Sequence, residues 1–303
     1  MTAPNLYTQK ETNILKTWLL FTGFFTFVIA VGWIFSEAYG DPGILYIAVA
    51  FSTMTSIISY WYSDKIVLKM ANAQPVDMHA NPELYRIVEN LAITAGLPTP
   101  SIYIIPERQL NAFATGRDPK HAVVAVTEGL LERLSKPELE GVLAHELSHV
   151  GNRDMLVSTV AVILVGFVSL LSDMFLRSMW WGGGRRSNDD RNGGNGIMMI
   201  IAIALAVLAP ISATLIQLAI SRKREFLADS SGALLTRYPD GLASALEKIA
   251  EDTTPMRVAK NTTAHLWIDD PFTGQARTAW WHALFMTHPP IEERIRILRG
   301  MKK

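Results

Sequence analysis

The chain has 303 residues and a formal net charge of zero, so nothing in its charge suggests a nucleic acid as partner. Charged residues make up 18% of the sequence, against a usual share of about 25%, and mean hydropathy is positive at +0.19. Together these values indicate a membrane protein. The sequence contains no cysteine, which excludes disulfides and thiolate ligands, so any metal site must use histidine and carboxylate side chains.

Apolar stretches of about 20 residues are long enough to cross a bilayer as helices, and the sequence contains four candidates. They cover residues 17–36, 42–63, about 155–176 and 197–220. The first two contain no charged residue, and the fourth carries Pro210, where a kink is expected. The alternative for each stretch is a helix buried in a protein core, and it is strongest for the third.

Between the second and third stretches the sequence has the pattern of a small α+β unit. Leu84, Ile87 and Leu91 recur at helical spacing and predict a helix over Pro82–Ala95. Short runs of β-formers and a further helical run follow. They predict strands over Ser101–Ile105, Asn111–Thr115 and His121–Val126, and a short helix over Glu128–Leu134.

The next helix begins at a predicted capping box, Ser135–Glu138, and carries the motif His-Glu-Leu-Ser-His at residues 145–149. Residues four apart lie on one face of a helix, so His145 and His149 can bind one metal ion. Glu146 points away from that line and is predicted to act as general base on an activated water. The motif therefore predicts a zinc hydrolase, with one Zn²⁺ per chain and a third protein ligand elsewhere.

Glu225 and Asp229 are the candidates for completing that site. They also stand four residues apart, so a helix would direct both carboxylates the same way. Glu225 is predicted as the third ligand, and Asp229 as the acceptor of the free ring N–H of a liganding histidine. The alternative is a solvated charged face at the end of a membrane helix. The region 221–303 as a whole is predicted to be mostly helical.

Four motifs in this order resemble the HtpX-type membrane zinc metallopeptidases, relatives of the CAAX-prenyl endopeptidases, over nearly the whole chain. They are Asn111–Gly116, the His-Glu-Leu-Ser-His motif with Gly151–Asp154 after it, Ser221–Asp229, and Thr287–Pro290 followed by Arg294. The resemblance implies a membrane-bound endopeptidase acting in protein quality control. The spacing of the residues indicates only a zinc hydrolase.

Three further residues are candidates for contact with substrate. The resemblance assigns His288 to the developing oxyanion, which a peptide-cleaving zinc enzyme has to stabilise, and Asn111 to positioning of the substrate or the intermediate. Without the resemblance, the run Thr-His-Pro-Pro around His288 would be interpreted as a structural turn. His121 opens a predicted strand that could pair with an extended peptide substrate.

The predicted fold is an α+β zincin-like metallopeptidase domain combined with about four transmembrane α-helices. The four parts are an N-terminal membrane hairpin, a zincin half, a second membrane hairpin and a helical half that completes the active site, over residues 1–63, 64–154, 155–220 and 221–303. Because His149 and Glu225 flank the second hairpin and must bind one metal, its two ends lie on one side, and the zinc lies near the membrane surface.

Lys and Arg residues decide which side that is. Residues 64–69 and 222–224 are rich in them, while the 37–41 connection has none, which predicts that the catalytic domain lies in the cytoplasm. The resemblance to the HtpX-type peptidases implies that the membrane is the inner membrane of a bacterium. The four arginines between residues 177 and 191 count against this orientation, since they lie in or beside the Gly182–Gly196 loop assigned to the outside.

These observations predict a zinc metalloendopeptidase whose partners are protein or peptide substrates and the lipid bilayer; oligomeric state is not predicted. One alternative is CAAX-type processing of a specific lipidated peptide, for which four spans are few. Another is a non-catalytic chaperone or scaffold stabilised by zinc, which conflicts with three protein ligands and an intact Glu146. An intramembrane site-2-type protease is disfavoured by the polar Lys136–Glu140 segment beside the motif.

Overall fold

The computed structural model describes residues 6–167, 222–258, 266–268 and 289–301. The chain begins with two long helices, α1 over Leu6–Tyr39 and α2 over Gly43–Met70, which form a hairpin. They approach closely at Gly32, where an added Cβ would lie 2.3 Å from that of Ala48. Within the described ranges, two helices are long and apolar enough to cross a membrane, or up to three if one bent pair counts as a single span. The two are those predicted first, although α2 continues beyond residue 63.

A four-stranded sheet follows, in the spatial order β1-β2-β4-β3, with one helix between its first two strands. The strands and this helix are β1 Gln74–Val76, α3 Pro82–Ala95, β2 Ser101–Ile105, β3 Ala112–Thr115 and β4 Val123–Thr127. β2 and β4 are parallel, and the other two pairings are antiparallel. Strand β1 was not predicted, because three residues including Pro75 show no alternation that a pattern could detect.

The remaining elements are helices. They are α4 Glu128–Arg133, α5 Lys136–Asn152, α6 Asp154–Phe167, α7 Arg222–Thr236, α8 Pro239–Glu251 and α9 Ile291–Gly300. Helix α5, which carries the His-Glu-Leu-Ser-His motif, packs against α3 and the strands β3 and β4 as well as against α7 and α8. Its apolar residues Val142, Leu143 and Leu147 are buried in the main core, so the motif helix stands at the centre of the soluble part.

Local interactions fix where α5 begins and ends. The Glu138 carboxylate accepts a hydrogen bond from the backbone N–H of Ser135 at 2.7 Å, as the predicted capping box requires, and a second one from the Ser135 hydroxyl at 2.8 Å. Lys248 on α8 adds an ion pair to the same carboxylate at 2.6 Å. At the other end Arg153 adopts the left-handed conformation with φ 57°, and α6 leaves at an angle of 85° to α5. One residue thus turns the chain sharply just after the motif.

One prediction needs correction, and three others lie partly or wholly beyond the described residues. His121 does not open a strand: it ends a short 3-10 helix, Pro119–His121. The following strand β4 is paired on both sides, so an extended peptide has no free edge to join there, and β-augmentation at His121 was wrong. The third apolar stretch is described as far as Phe167. The fourth stretch and the Gly182–Gly196 loop lie outside the described residues.

Candidate metal centre

The site lies where α7 packs against α5. Glu225, Asp229 and Gly232 lie on one face of α7, at spacings of four and three residues. Gly232 is the point of closest approach, because a Cβ there would lie 2.9 Å from the backbone nitrogen of His145. The missing side chain therefore lets the two carboxylates of α7 reach the imidazoles of α5.

Three side chains converge at this crossing in an arrangement able to hold a metal ion. The Nε2 atoms of His145 and His149 are 3.2 Å apart. A Glu225 carboxylate oxygen lies 3.8 Å from Nε2 of His145, and the other lies 3.7 Å from Nε2 of His149. These are the residues predicted from the sequence, and they form the metal-binding group found among the described residues.

These distances fit a zinc ion. With metal–ligand bonds of roughly 2.0–2.2 Å, two ligand atoms at tetrahedral corners are about 3.3–3.6 Å apart. The two Nε2 atoms, at 3.2 Å, lie close to that range, and each imidazole has one Glu225 oxygen slightly beyond it, at 3.8 and 3.7 Å. These are different oxygens of the carboxylate; with one atom taken from each residue, the three ligand atoms lie within 4.8 Å of one another. Two neutral imidazoles and one carboxylate are also a donor set found in catalytic zinc sites with an open fourth position. The residues present therefore suit the predicted metal.

Asp229 holds His145 in the orientation that a metal ligand needs. Nδ1 of His145 lies 2.9 Å from a carboxylate oxygen of Asp229, so that Nε2 is left to face the ligand group. Asp229 is bound in turn by Arg294 of α9, through Nε at 2.9 Å and Nη2 at 2.8 Å. Although burial alone raises the pKa of Asp229, the Arg294 guanidinium and the His145 hydrogen bond lower it well below its usual range. Asp229 is thus an anion at neutral pH.

Asp154 performs the same task for His149, a role that the sequence analysis missed. Its carboxylate accepts a hydrogen bond from Nδ1 of His149 at 3.1 Å. Five residues separate the two, which in an unbroken helix would place them on different faces. The left-handed turn at Arg153 redirects the chain and brings Asp154 back against the imidazole. The sequence did single out Asp154 as the last residue of the motif Gly151–Asp154, but the sequence analysis assigned it no role.

A comparison with known proteins identifies the family of this site. Residues 78–302 match the model of peptidase family M48, and this stretch includes every residue of the site described above. The chain belongs to peptidase family M48.

Two protease HtpX homologs match this chain over nearly their whole lengths. The protease HtpX homolog of Caldanaerobacter subterraneus subsp. tengcongensis is 46% identical over 304 residues, covering 99% of each chain. That of Thermococcus kodakarensis is 49% identical over 287 residues, covering 94% of each. The crystal structure of S. mikatae Ste24p shares the fold at a TM-score of 0.51 and 19% identity. That match covers 97% of this chain but only 66% of Ste24p.

Glu146 of this M48 chain is buried beside the ligand group. Burial raises the pKa of its carboxyl above the usual value, while the charges of His145 and His149 oppose the shift. A carboxyl group whose pKa lies nearer to neutrality is better suited to accept a proton and then return it within one reaction cycle. The environment of Glu146 therefore matches the predicted general base.

Zinc affinity should depend on pH through His149. With no ion bound, burial lowers the pKa of this imidazole, but the hydrogen bond with Asp154 and the charges of Glu225 and Asp154 raise it to about 9. The ligand form is neutral, so zinc has to displace a proton below that pH. We expect affinity to rise up to about tenfold per pH unit until about pH 9, measured by competition with a chromophoric chelator. Asp154→Asn should flatten this dependence, and an unchanged slope in that variant would contradict the assignment.

Of the three residues predicted to contact substrate, one is buried, one lies on the surface and one lies outside the described residues. Asn111 is buried, and its Oδ1 accepts the backbone N–H groups of Ile268 at 3.0 Å and Ala112 at 3.1 Å, so it fixes the 266–268 segment beside β3. His121 binds Asp118 at 2.8 Å and Arg117 at 2.6 Å on the surface. His288 lies outside the described residues.

Proposed function

We propose that this M48 peptidase is a membrane-bound zinc endopeptidase that cleaves exposed segments of misfolded or membrane proteins, as part of protein quality control. The observation that carries the proposal is the convergence of His145, His149 and Glu225 within 4.8 Å of one another, with Glu146 buried beside them. A metal site that only stabilises the fold has no use for a further buried acid such as Glu146 beside the ligands. This argues against the chaperone or scaffold alternative.

In the proposed reaction His145, His149 and Glu225 hold the zinc, and Asp229 and Asp154 keep both imidazoles in the required tautomer. Bound zinc would supply Lewis-acid activation of water and of the peptide carbonyl. Glu146 takes the proton of the attacking water and passes it to the nitrogen of the leaving amine. The same carboxyl group thus serves as base and then as acid, which its raised pKa favours.

His288 remains the proposed donor to the developing oxyanion, on the strength of the motif Thr287–Pro290 alone. The measurement that separates this role from metal binding is zinc content in His288→Ala, which should stay unchanged while kcat falls. For Asn111 we propose a narrower part. Its Oδ1 accepts the backbone N–H groups of Ile268 and Ala112, so we propose that Asn111 acts on substrate position by fixing the 266–268 segment beside β3.

We propose an inner-membrane location with the catalytic domain in the cytoplasm. The support is the excess of Lys and Arg at the domain-side ends of the spans, and two helices, α1 and α2, suited to cross a bilayer. The chain has no cysteine, so single cysteines can be introduced as labels. A cysteine in the exposed residues 77–80 should react only from the cytoplasm, and one in residues 182–196 only from the opposite side. Labelling of both from one side would contradict the four-span topology.

Removal of the metal should abolish the activity reversibly. We expect the full chain, purified in detergent, to contain about one zinc and to hydrolyse an unfolded protein such as casein. A strong chelator should remove both zinc and hydrolysis, and stoichiometric zinc should restore them. Hydrolysis that persists in the metal-free protein would contradict the proposed function. Magnesium at the same concentration is the control, because a site with two imidazoles has little affinity for it.

A further inference from the structure

A side chain of the first membrane helix reaches the metal centre. Asn13 lies near the start of α1, more than 130 residues from the motif, and is only 1% exposed. It lies within the apolar candidate span Asn13–Glu37, where a buried amide is costly unless all its polar atoms are bonded. The hydrogen bonds that Asn13 makes inside the protein therefore have to compensate for its burial.

Both ends of the Asn13 amide are bonded to groups around the site. Nδ2 donates to the backbone carbonyl of Asn152 at 3.0 Å and, through a short hydrogen bond, to Oδ1 of Asp154. Oδ1 accepts from Nη1 of Arg224 at 3.1 Å. Arg224 also faces Oδ1 of Asp154 at 3.6 Å and directly precedes the ligand Glu225. Asn13 thus joins the end of α5 to the start of α7.

The two carboxylate oxygens of Asp154 bind different partners. Oδ2 accepts the Nδ1–H of His149, while Oδ1 is held by Asn13 and Arg224. Without these two partners the carboxylate could rotate about χ2 and lose its alignment with the imidazole. A carboxylate that orients a metal ligand has to be held rigidly, because its value lies in fixing the ring and the tautomer.

We propose that Asn13 is a positioning residue of the metal centre: it holds Asp154, and through it His149, so that the first membrane helix is part of the active site. Asn13 is not one of the metal ligands, and its hydrogen-bonded path to His149 runs through Asp154. The inference rests on the proposed metal site and adds to it a dependence on the membrane hairpin. The simpler alternative is that Asn13 only fastens α1 to the catalytic domain, in which case its loss would lower stability and leave the metal untouched.

Zinc affinity distinguishes a positioning role of Asn13 from a purely structural one. It is measured on the full chain in detergent by competition with a chelator. Asn13→Leu should weaken zinc binding by about tenfold, the lower end of the effect of losing an outer partner of a ligand. Asn13→Ala, which removes the donor to Asp154 without adding a charge or an apolar side chain of similar length, should act in the same direction and serves if the leucine variant does not fold. The matched control is Thr17→Val, one turn further along α1. Thr17 is also buried, but among the described residues its hydroxyl donates to the carbonyl of Asn13 at 3.0 Å and not to Asp154. It should bind zinc as the wild type does.

A double-mutant cycle tests whether Asn13 acts through Asp154. In the Asp154→Asn background, Asn13→Leu should change zinc affinity by less than about twofold, because the residue it positions is already lost. Independent effects that multiply, or wild-type affinity in both Asn13 variants together with a lower melting temperature, would overturn the inference. A wild-type chain that binds no zinc would instead refute the proposed function.

Discussion

Glu146→Gln is expected to retain zinc and to lose hydrolysis. The amide has nearly the same shape as the carboxyl group but cannot accept the proton of the attacking water. The three ligands His145, His149 and Glu225 are untouched. General base catalysis typically contributes about 10²–10⁴ in rate, so kcat should fall by that factor. The measurements are zinc content by elemental analysis and initial rates on casein.

Glu140→Gln is the matched control, since it makes the same chemical change on the same helix, five residues before the motif. It should leave both zinc content and kcat near wild type. If Glu146→Gln cleaved at the wild-type rate, Glu146 would not be the base. If it lost zinc instead, the carboxylate would belong to the ligand group.

Arg294→Met is expected to weaken both the fold and the metal site. The Arg294 guanidinium is almost completely buried, and it forms two hydrogen bonds to Asp229 and one to the carbonyl of Ile268 at 3.1 Å. Its loss leaves a buried carboxylate without its cation, which typically costs about 3–5 kcal/mol. Asp229 would then hold His145 less firmly, and zinc affinity should fall by about 10–100-fold. Arg294→Lys should not restore it, since an ammonium cannot form the bidentate pair.

Arg299→Met controls for the loss of an arginine from the same helix α9. Arg299 pairs with Asp240 and Glu247, but its side chain is 36% exposed, so its loss should change stability by no more than about 1 kcal/mol. Zinc affinity should not change. Thermal unfolding and chelator competition on the two variants give both quantities, and equal behaviour of the pair would refute a special role for Arg294.

The ligand group could be predicted because each part of it obeys a local rule. His145 and His149 share a helix whose start is set by an adjacent capping box, and Glu225 and Asp229 share another at the same spacing. Four-residue spacing fixes direction within a helix without any tertiary information. That the two helices meet was inferred from the metal, which needs a third ligand. The structure adds the reason in Gly232, where α7 can touch α5.

The outer partners could not be predicted in the same way. Asp154 reaches His149 only because Arg153 takes a left-handed conformation, which is uncommon for a residue with a side chain. Asn13 and Arg294 come from elements remote in sequence, and no periodicity links them to the motif. His121 was misplaced because an apolar run predicts a strand but not whether that strand has a free edge.

The sharp turn at Arg153 leaves no flexible tether between the motif helix and the helix that begins the third apolar stretch. Arg153 is the single residue between α5 and α6, so the two helices are joined without a loop. Under the proposed topology, a tilt of α6 in a thinner or thicker bilayer would be passed on to α5 and, because α5 lies in the main core, to the whole catalytic domain. The height of His145 and His149 above the lipid surface would then depend on the thickness of the membrane. Bilayer thickness would in that case influence which stretch of a protruding polypeptide comes within reach.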